Sequence, residues 1–177
     1  MTSIRLGFAG ASGTGKTTLA EWVVEELGLP LNPVGSRSVA KAMGYDNPYD
    51  VDAAGKRGEF QRRLITEKAD WEAKHDSFVS DRTTLDNLVY TMLHEVYAVD
   101  AKFLVEVVAG LQRYTHIVFC PVDIFCNVSG DANRVGGGEH GSTGDLTYHC
   151  LFDTTIRALL DKHRGPRPSS PPCSRPN

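Results

Sequence analysis

Ile4-Arg5-Leu6-Gly7-Phe8-Ala9-Gly10-Ala11-Ser12-Gly13-Thr14-Gly15-Lys16-Thr17-Thr18-Leu19-Ala20 carries a short apolar run into a glycine-rich turn and then into a helical pattern. The apolar run bounded by glycine reads as a buried parallel strand. Gly10 to Thr17 fits G-x-x-x-x-G-K-[ST] at every fixed position. Glycines let the main chain fold until consecutive N–H groups converge on one anion, and the helix that follows turns its positive dipole end toward it. The residues Gly10, Ala11, Ser12, Gly13, Thr14, Gly15, Lys16, Thr17 and Thr18 are therefore expected to cradle a triphosphate. Lys16 neutralises charge on its β and γ phosphates, and the Thr17 hydroxyl is placed for Mg²⁺. A glycine turn with a chance Lys-Thr would not need a strand before it and a helix after it; here both are present.

Outward from that turn, Leu19, Val23 and Leu27 share a helical face, and Gly28 with Pro30 ends the helix. Ser36 is suited to cap a short helix through Met43, stopped by Gly44, and Tyr45 to Gly55 reads as a loop around Pro48. A longer helix is expected from Lys56 to Lys74, with Phe60, Leu64 and Trp71 at helical spacing. Ser77 to Ser80 and Thr115 to Cys120 read as two more strands, stopped by Asp81-Arg82 and Pro121. Helices are expected over Leu85–Ala98, over Ala101–Arg113 with Asp100 as cap, and over Leu146–His163. Strands alternating with helices imply an α/β fold, three layers α/β/α around a central parallel sheet, with ligands beyond the carboxyl ends of the strands.

Six glycines between Gly130 and Gly144, together with Asp131, Arg134, Glu139 and His140, are too polar for a core and suggest a flexible lid over about 128–145. Five prolines in the fourteen residues from Arg164 to Asn177 leave a Pro-rich tail. Residues 1–163 are thus expected to form a single domain, and 177 residues is below the length at which cores commonly divide.

The formal charge of -3 leaves no overall basic footprint for a polyanion, so nucleic acid is not an expected partner. The sequence contains no apolar run long enough for a membrane span and no signal-peptide layout at its start, which makes the cytoplasm the default compartment. Cys120, Cys126, Cys150 and Cys173 show neither CxxC pairing nor regular spacing, so neither a disulfide framework nor a zinc cage is expected.

A second constellation lies at Phe78-Val79-Ser80-Asp81-Arg82-Thr83, where a parallel strand would deliver a carboxylate toward bound nucleotide. Asp81 is the candidate acid beside the metal, or the base for a hydroxyl acceptor. As a mere helix cap it would be redundant with Thr83 or Thr84. The Gly10–Thr17 loop, the Val79-Ser80-Asp81-Arg82-Thr83-x-Leu85-Asp86-Asn87-Leu88 segment and Asp131-x-x-Arg134 resemble the P-loop nucleoside and nucleotide kinases. The nearest in appearance are small phage-type deoxynucleoside monophosphate kinases and the related nicotinamide riboside kinases. That resemblance spans about residues 4 to 163 and implies a phosphotransferase using ATP and Mg²⁺, with Thr17 and Asp81 at the metal. It also implies Arg82 on the acceptor's phosphate and Arg134 on the transferring phosphoryl group. The glycine run Gly136-Gly137-Gly138 carries no second lid arginine and departs from that pattern.

The acceptor decides what else is needed, since phosphoryl transfer is chiefly positioning and charge stabilisation. Arg37, Arg57, Arg62, Arg63, Arg82, Arg134 and Arg157 fall in segments that can face a cleft, and this surplus favours a phosphate-bearing acceptor, a (deoxy)nucleoside monophosphate converted to the diphosphate. Phe60 and Gln61 can stack on and hydrogen-bond a nucleobase, Phe60 being equally suited to the core beside Leu64 and Trp71. A hydroxyl acceptor on a nucleoside, on nicotinamide riboside or on a modified base in DNA remains an alternative, as does a regulatory NTPase. A homodimer is left open by the sequence.

Overall fold

The computed structural model describes residues 3–94, 98–122 and 143–164, with the side chains of 143–146 and 164 left aside. The described chain runs β1 (Arg5–Ala9), α1 (Lys16–Leu27), α2 (Ser36–Ala42), α3 (Pro48–Ala53), α4 (Arg57–Glu72), β2 (Phe78–Asp81), α5 (Thr84–His94), α6 (Ala101–Leu111), β3 (His116–Phe119) and α7 (Thr143–Arg164). The strands form one parallel sheet in the order β2-β1-β3. Leu6 is paired with Val79 and His116, and Phe8 with Asp81 and Val118, so all three strands end at one edge. Pro30 to Asn32 runs alongside β2: Val79 N–H donates to Pro30 O at 2.9 Å and Asn32 N–H to Val79 O at 2.8 Å.

Apolar residues on the two faces of the sheet explain the layers. Phe8 and Val79, with Ala20 of α1 and Cys120, form a buried cluster on one face, and Leu19 and Val23 pack against it. Leu27, expected on that same face, is 53% exposed; the helix has turned it out by its last residue, where Gly28 takes the left-handed conformation at φ 62°. Ala9, Leu85, Val89, Phe103, Phe152 and Ile156 join β1 to α5, α6 and α7 on the other face. A third cluster of Val39, Ala40, Val51, Phe60 and Leu64 belongs to α2, α3 and α4 alone.

Two local expectations are corrected. The segment Tyr45–Gly55 is not all loop, because Asn47 accepts hydrogen bonds from Tyr49 and Asp50 N–H and Pro48 occupies the first helical turn, the position proline tolerates. Helix α2 is preceded by Gly35 rather than capped by Ser36; Gly35 N–H donates to Ser38 Oγ at 3.0 Å. Asp100 does cap α6, accepting from Phe103 N–H at 2.8 Å. Helix α5 is described as far as His94, and residues 95–97 of the expected helix lie outside the described residues. The expected lid and the residues after Arg164 lie outside the described residues. No helix among the described residues is long and apolar enough to cross a membrane.

Candidate active site

The glycines of the first turn have the backbone that a cradle requires. Gly10, Gly13 and Gly15 have φ of 143°, 78° and 78°. At Gly10 the need is doubled, because a Cβ would sit 2.3 Å from Cys120 O. The loop is anchored from below: Gly10 N–H donates to Asp86 Oδ1 at 3.0 Å. Ser12, Gly13, Gly15, Lys16, Thr17 and Thr18 face a cleft of about 850 Å³, whereas Gly10 and Ala11 are buried beneath it. Lys16 Nζ donates to Ala11 O and, at 3.0 Å, to Thr14 Oγ1. Its ammonium is only 4% exposed, and burial, then the neighbouring Arg82 cation, lower its pKa to about 8.

The second constellation meets the first. Asp81, the last residue of β2, accepts a hydrogen bond from Thr17 Oγ1 at 2.7 Å, and its Oδ1 is buried without a hydrogen-bond partner. Asp81 is not the cap of α5. Asp86, fully buried, accepts instead from Thr83 N–H at 2.8 Å and Thr83 Oγ1 at 2.9 Å. Arg82 follows with φ 78°, the one positive-φ residue other than glycine among the described residues. Its guanidinium points back at the loop, donating to Gly10 O and Ser12 Oγ, each at 3.3 Å, and lying 5.1 Å from the Tyr90 ring centre. It approaches Asp86 Oδ1 at 3.5 Å. In this structure, then, Arg82 braces the loop from the side where β2 ends.

The far wall of the cleft is built by α2, α3, α4 and α5. Arg37 lies exposed at its rim. Arg57 is buried and donates to Asp52. Phe60, 1% exposed, both lines the cleft and belongs to the α2–α4 cluster, so core and wall coincide in one ring. Gln61, 2% exposed, accepts at Oε1 from Asn87 Nδ2 at 2.7 Å. The other cations named from sequence lie elsewhere: Arg62 pairs with Asp100 at 2.8 Å, Arg63 with Glu67 at 2.6 Å and Arg157 with Asp153 at 3.2 Å. Arg134 lies outside the described residues.

Three residues of the site were assigned no role from sequence: Lys68, Tyr90 and Asp86, the last although it falls in the Val79–Leu88 segment. Asp86 ties loop to helix as described. Tyr90 shares a 2.9 Å hydrogen bond with Ser12 Oγ. Lys68, on α4, donates to the β2 end. Asp86 and Lys68 had a signal in being charged at positions a core-facing helix would bury, five residues after and ten residues before β2. A second cavity of about 490 Å³, lined by Arg5, Glu72, His75 and Arg113, opens at the other ends of β1 and β2, away from the cradle.

The family described as AAA domain, AAA_28, matches residues 5–164. The chain belongs to this AAA-domain family. No curated protein matches it. Two solved structures of deoxyadenosine kinase from M. mycoides are similar to this AAA domain. One, with bound dATP, shares 13% identity at a TM-score of 0.56, over 91% of this chain and 86% of that one. The other, with the products dCMP and a flexible dCDP bound, shares 14% identity at a TM-score of 0.59, over 92% and 86%. At such identities the likeness establishes the fold: an α/β P-loop NTPase architecture of the kind that deoxynucleoside kinases have.

Proposed function

We propose that this AAA domain is an ATP- and Mg²⁺-dependent phosphotransferase acting on a (deoxy)nucleoside monophosphate and giving the diphosphate. The observation that carries the reading is the 2.7 Å contact between Thr17 Oγ1 of the cradle and Asp81 Oδ2 of β2, which joins two motifs 64 residues apart into one site. Those two side chains offer hard oxygen donors, and the buried, unpartnered Asp81 Oδ1 leaves one free, so the pair suits Mg²⁺. Bound there, the ion would neutralise charge on the β and γ phosphates.

The chain's own groups divide the remaining work. Main-chain N–H groups from Gly13 to Thr18 bind the triphosphate, and Lys16 exchanges its neutral partners Ala11 O and Thr14 Oγ1 for phosphate oxygens. Arg82 is within reach of the transferring group from the Asp81 side. Transfer breaks the bond from the γ phosphorus to the bridging oxygen and forms one to the acceptor oxygen, releasing ADP. Among the described residues, the cleft is lined by five cations, Lys16, Arg37, Arg57, Lys68 and Arg82, against two carboxylates, Asp52 and Asp81. A net positive lining suits an acceptor that brings its own phosphate. Phe60 and Gln61 in the far wall suit a base.

A hydroxyl acceptor is the second reading, supported by the free oxygen of Asp81, which could take the hydroxyl proton. Labelled ATP offered with a panel of nucleosides and nucleoside monophosphates separates the two. Asp81→Asn should slow transfer to a hydroxyl more than transfer to a phosphate, which is already ionised. ATP turnover equal with and without every acceptor would overturn the transferase reading in favour of an NTPase.

A further inference from the structure

Arg82 sits in a conformation that side chains other than glycine seldom adopt, and something other than its own preference has to hold it there. A left-handed residue after an extended one turns the two neighbouring carbonyls toward the same side. In this chain that side is occupied by the ammonium of Lys68. Its Nζ donates to Asp81 O at 2.9 Å, to Arg82 O at 2.9 Å and to Ser80 Oγ at 3.1 Å, and Ser80 Oγ in turn donates to Arg82 O at 3.0 Å.

An ammonium has three protons and no acceptor, and here all three are used on the end of a single strand. Lys68 is 2% exposed and forms no ion pair with a carboxylate within 4 Å among the described residues. Burial lowers the Lys68 pKa despite the favourable charges of Glu72, Asp81 and Asp86, and a methionine or leucine would fill the same space on α4 without that cost. One of its three hydrogen bonds goes to Ser80 Oγ, which itself donates to Arg82 O, and the other two go to the two residues whose side chains enter the site. One carries the carboxylate that receives Thr17, and the other the guanidinium that reaches Gly10 O and Ser12 Oγ.

We propose that Lys68 is a positioning residue: its three hydrogen bonds lock the left-handed turn at Asp81-Arg82 and so aim both side chains at the phosphates. The functional part of this proposal rests on the phosphotransferase reading above; the conformational part does not. Without the clamp, residue 82 relaxes to negative φ, which swings the guanidinium off the loop and the carboxylate off Thr17.

Lys68→Met removes the donors while keeping length and apolar bulk, and it relieves a buried charge, so the fold should survive. The first readout is amide hydrogen exchange across residues 80–84 in the full chain without nucleotide. Exchange there should rise at least tenfold in Lys68→Met while β1 and α1 stay protected. The second is steady-state transfer, where the acceptor KM should stay within about threefold and kcat should fall about a hundredfold, the penalty of a side chain displaced by an ångström. The third is the double variant Lys68→Met with Asp81→Asn, whose kcat loss should be smaller than the product of the two single losses, because part of the lysine's effect acts through Asp81.

Unchanged exchange at 80–84, or losses that multiply in the double variant, would overturn the proposal. If Lys68→Met fails to fold, Ser80→Ala, which removes only one donor to Arg82 O and one acceptor from Lys68, must show the same local rise in exchange or the proposal falls. A wild-type protein that transfers to no acceptor would defeat the phosphotransferase reading alone, and the exchange measurement would still decide the clamp.

Discussion

Asp86→Asn tests the architecture of the site at a residue to which the sequence assigns no role. The carboxylate is fully buried and is shared: Oδ1 accepts from Gly10 N–H at 3.0 Å and faces Arg82 at 3.5 Å, and Oδ2 accepts from Thr83 N–H at 2.8 Å and Thr83 Oγ1 at 2.9 Å. An asparagine has one oxygen and one NH₂ of the same size. With its nitrogen toward the loop, it orphans Gly10 N–H and meets the Arg82 cation; with its nitrogen toward the helix, it orphans Thr83 N–H. Either way one buried main-chain donor is lost and the contact with Arg82 loses its charge, for a combined cost of about 2–4 kcal/mol. At about 2–4 °C per kcal/mol for a domain of this size, thermal unfolding followed by circular dichroism should shift down by roughly 5–15 °C. Asp70→Asn, exposed on α4, is the control and should leave the midpoint alone. A midpoint for Asp86→Asn within about 2 °C of the parent would refute the reasoning, since no reorientation of the amide satisfies both ends.

Lys16→Ala should lower transfer by about a hundredfold or more, because no other group supplies a cation inside the loop; wild-type rates in a labelled-ATP assay would contradict the cradle. The affinity for ATP should be flat below pH 8 and weaken above it, because the free ammonium titrates at about 8 and phosphate oxygens favour its charged form. The expected slope above that point is about tenfold per pH unit until the bound-state pKa is reached, and calorimetry should find proton uptake on binding there. Gly110→Ala places a methyl 2.3 Å from Thr84 Cγ2 at the α5–α6 contact, which should cost about 1–3 kcal/mol in urea unfolding. A variant as stable as the parent would mean that the two helices do not meet as closely as described.

The parts of this domain legible in sequence are those whose signal is local. The order strand, glycine turn, helix is written in consecutive residues, and α1 begins and ends where Gly15 and Gly28 put it. Asp81 was legible because an apolar run ends on it. Helix α3 was not, because six residues around a proline give no periodicity and only the Asn47 cap reveals it. The arginines misled for a related reason: composition shows that Arg62, Arg63 and Arg157 exist, but only the fold shows that each is met by a carboxylate of its own. The roles of Lys68 and Asp86 were harder to read because the lysine's partners lie 12 to 14 residues away, two of them main-chain carbonyls, and the aspartate's anchor on the loop, Gly10 N–H, lies 76 residues away.

The same distinction explains why the reaction class is easier to read than the acceptor. The donor half of the cleft is made of main chain held by sheet and loop, and its chemistry follows from glycine spacing and one lysine. On the proposed function the acceptor half is the far wall, made of side chains on α2, α3, α4 and α5, of which α2, α3 and α4 keep a hydrophobic cluster of their own, Val39, Ala40, Val51, Phe60 and Leu64. Substitutions inside that cluster can reshape the wall holding Arg57, Phe60 and Gln61 without disturbing Phe8, Val79 or Ala20 beneath the cradle. Helix α4 spans both halves, since it carries Phe60 and Gln61 in the far wall and Lys68 toward Asp81 and Arg82, and α5 does so too through Asn87 on Gln61 and Tyr90 on Ser12. On the proposed function, a shift of α4 caused by what the far wall binds would reach the turn at Asp81-Arg82 through the Lys68 ammonium.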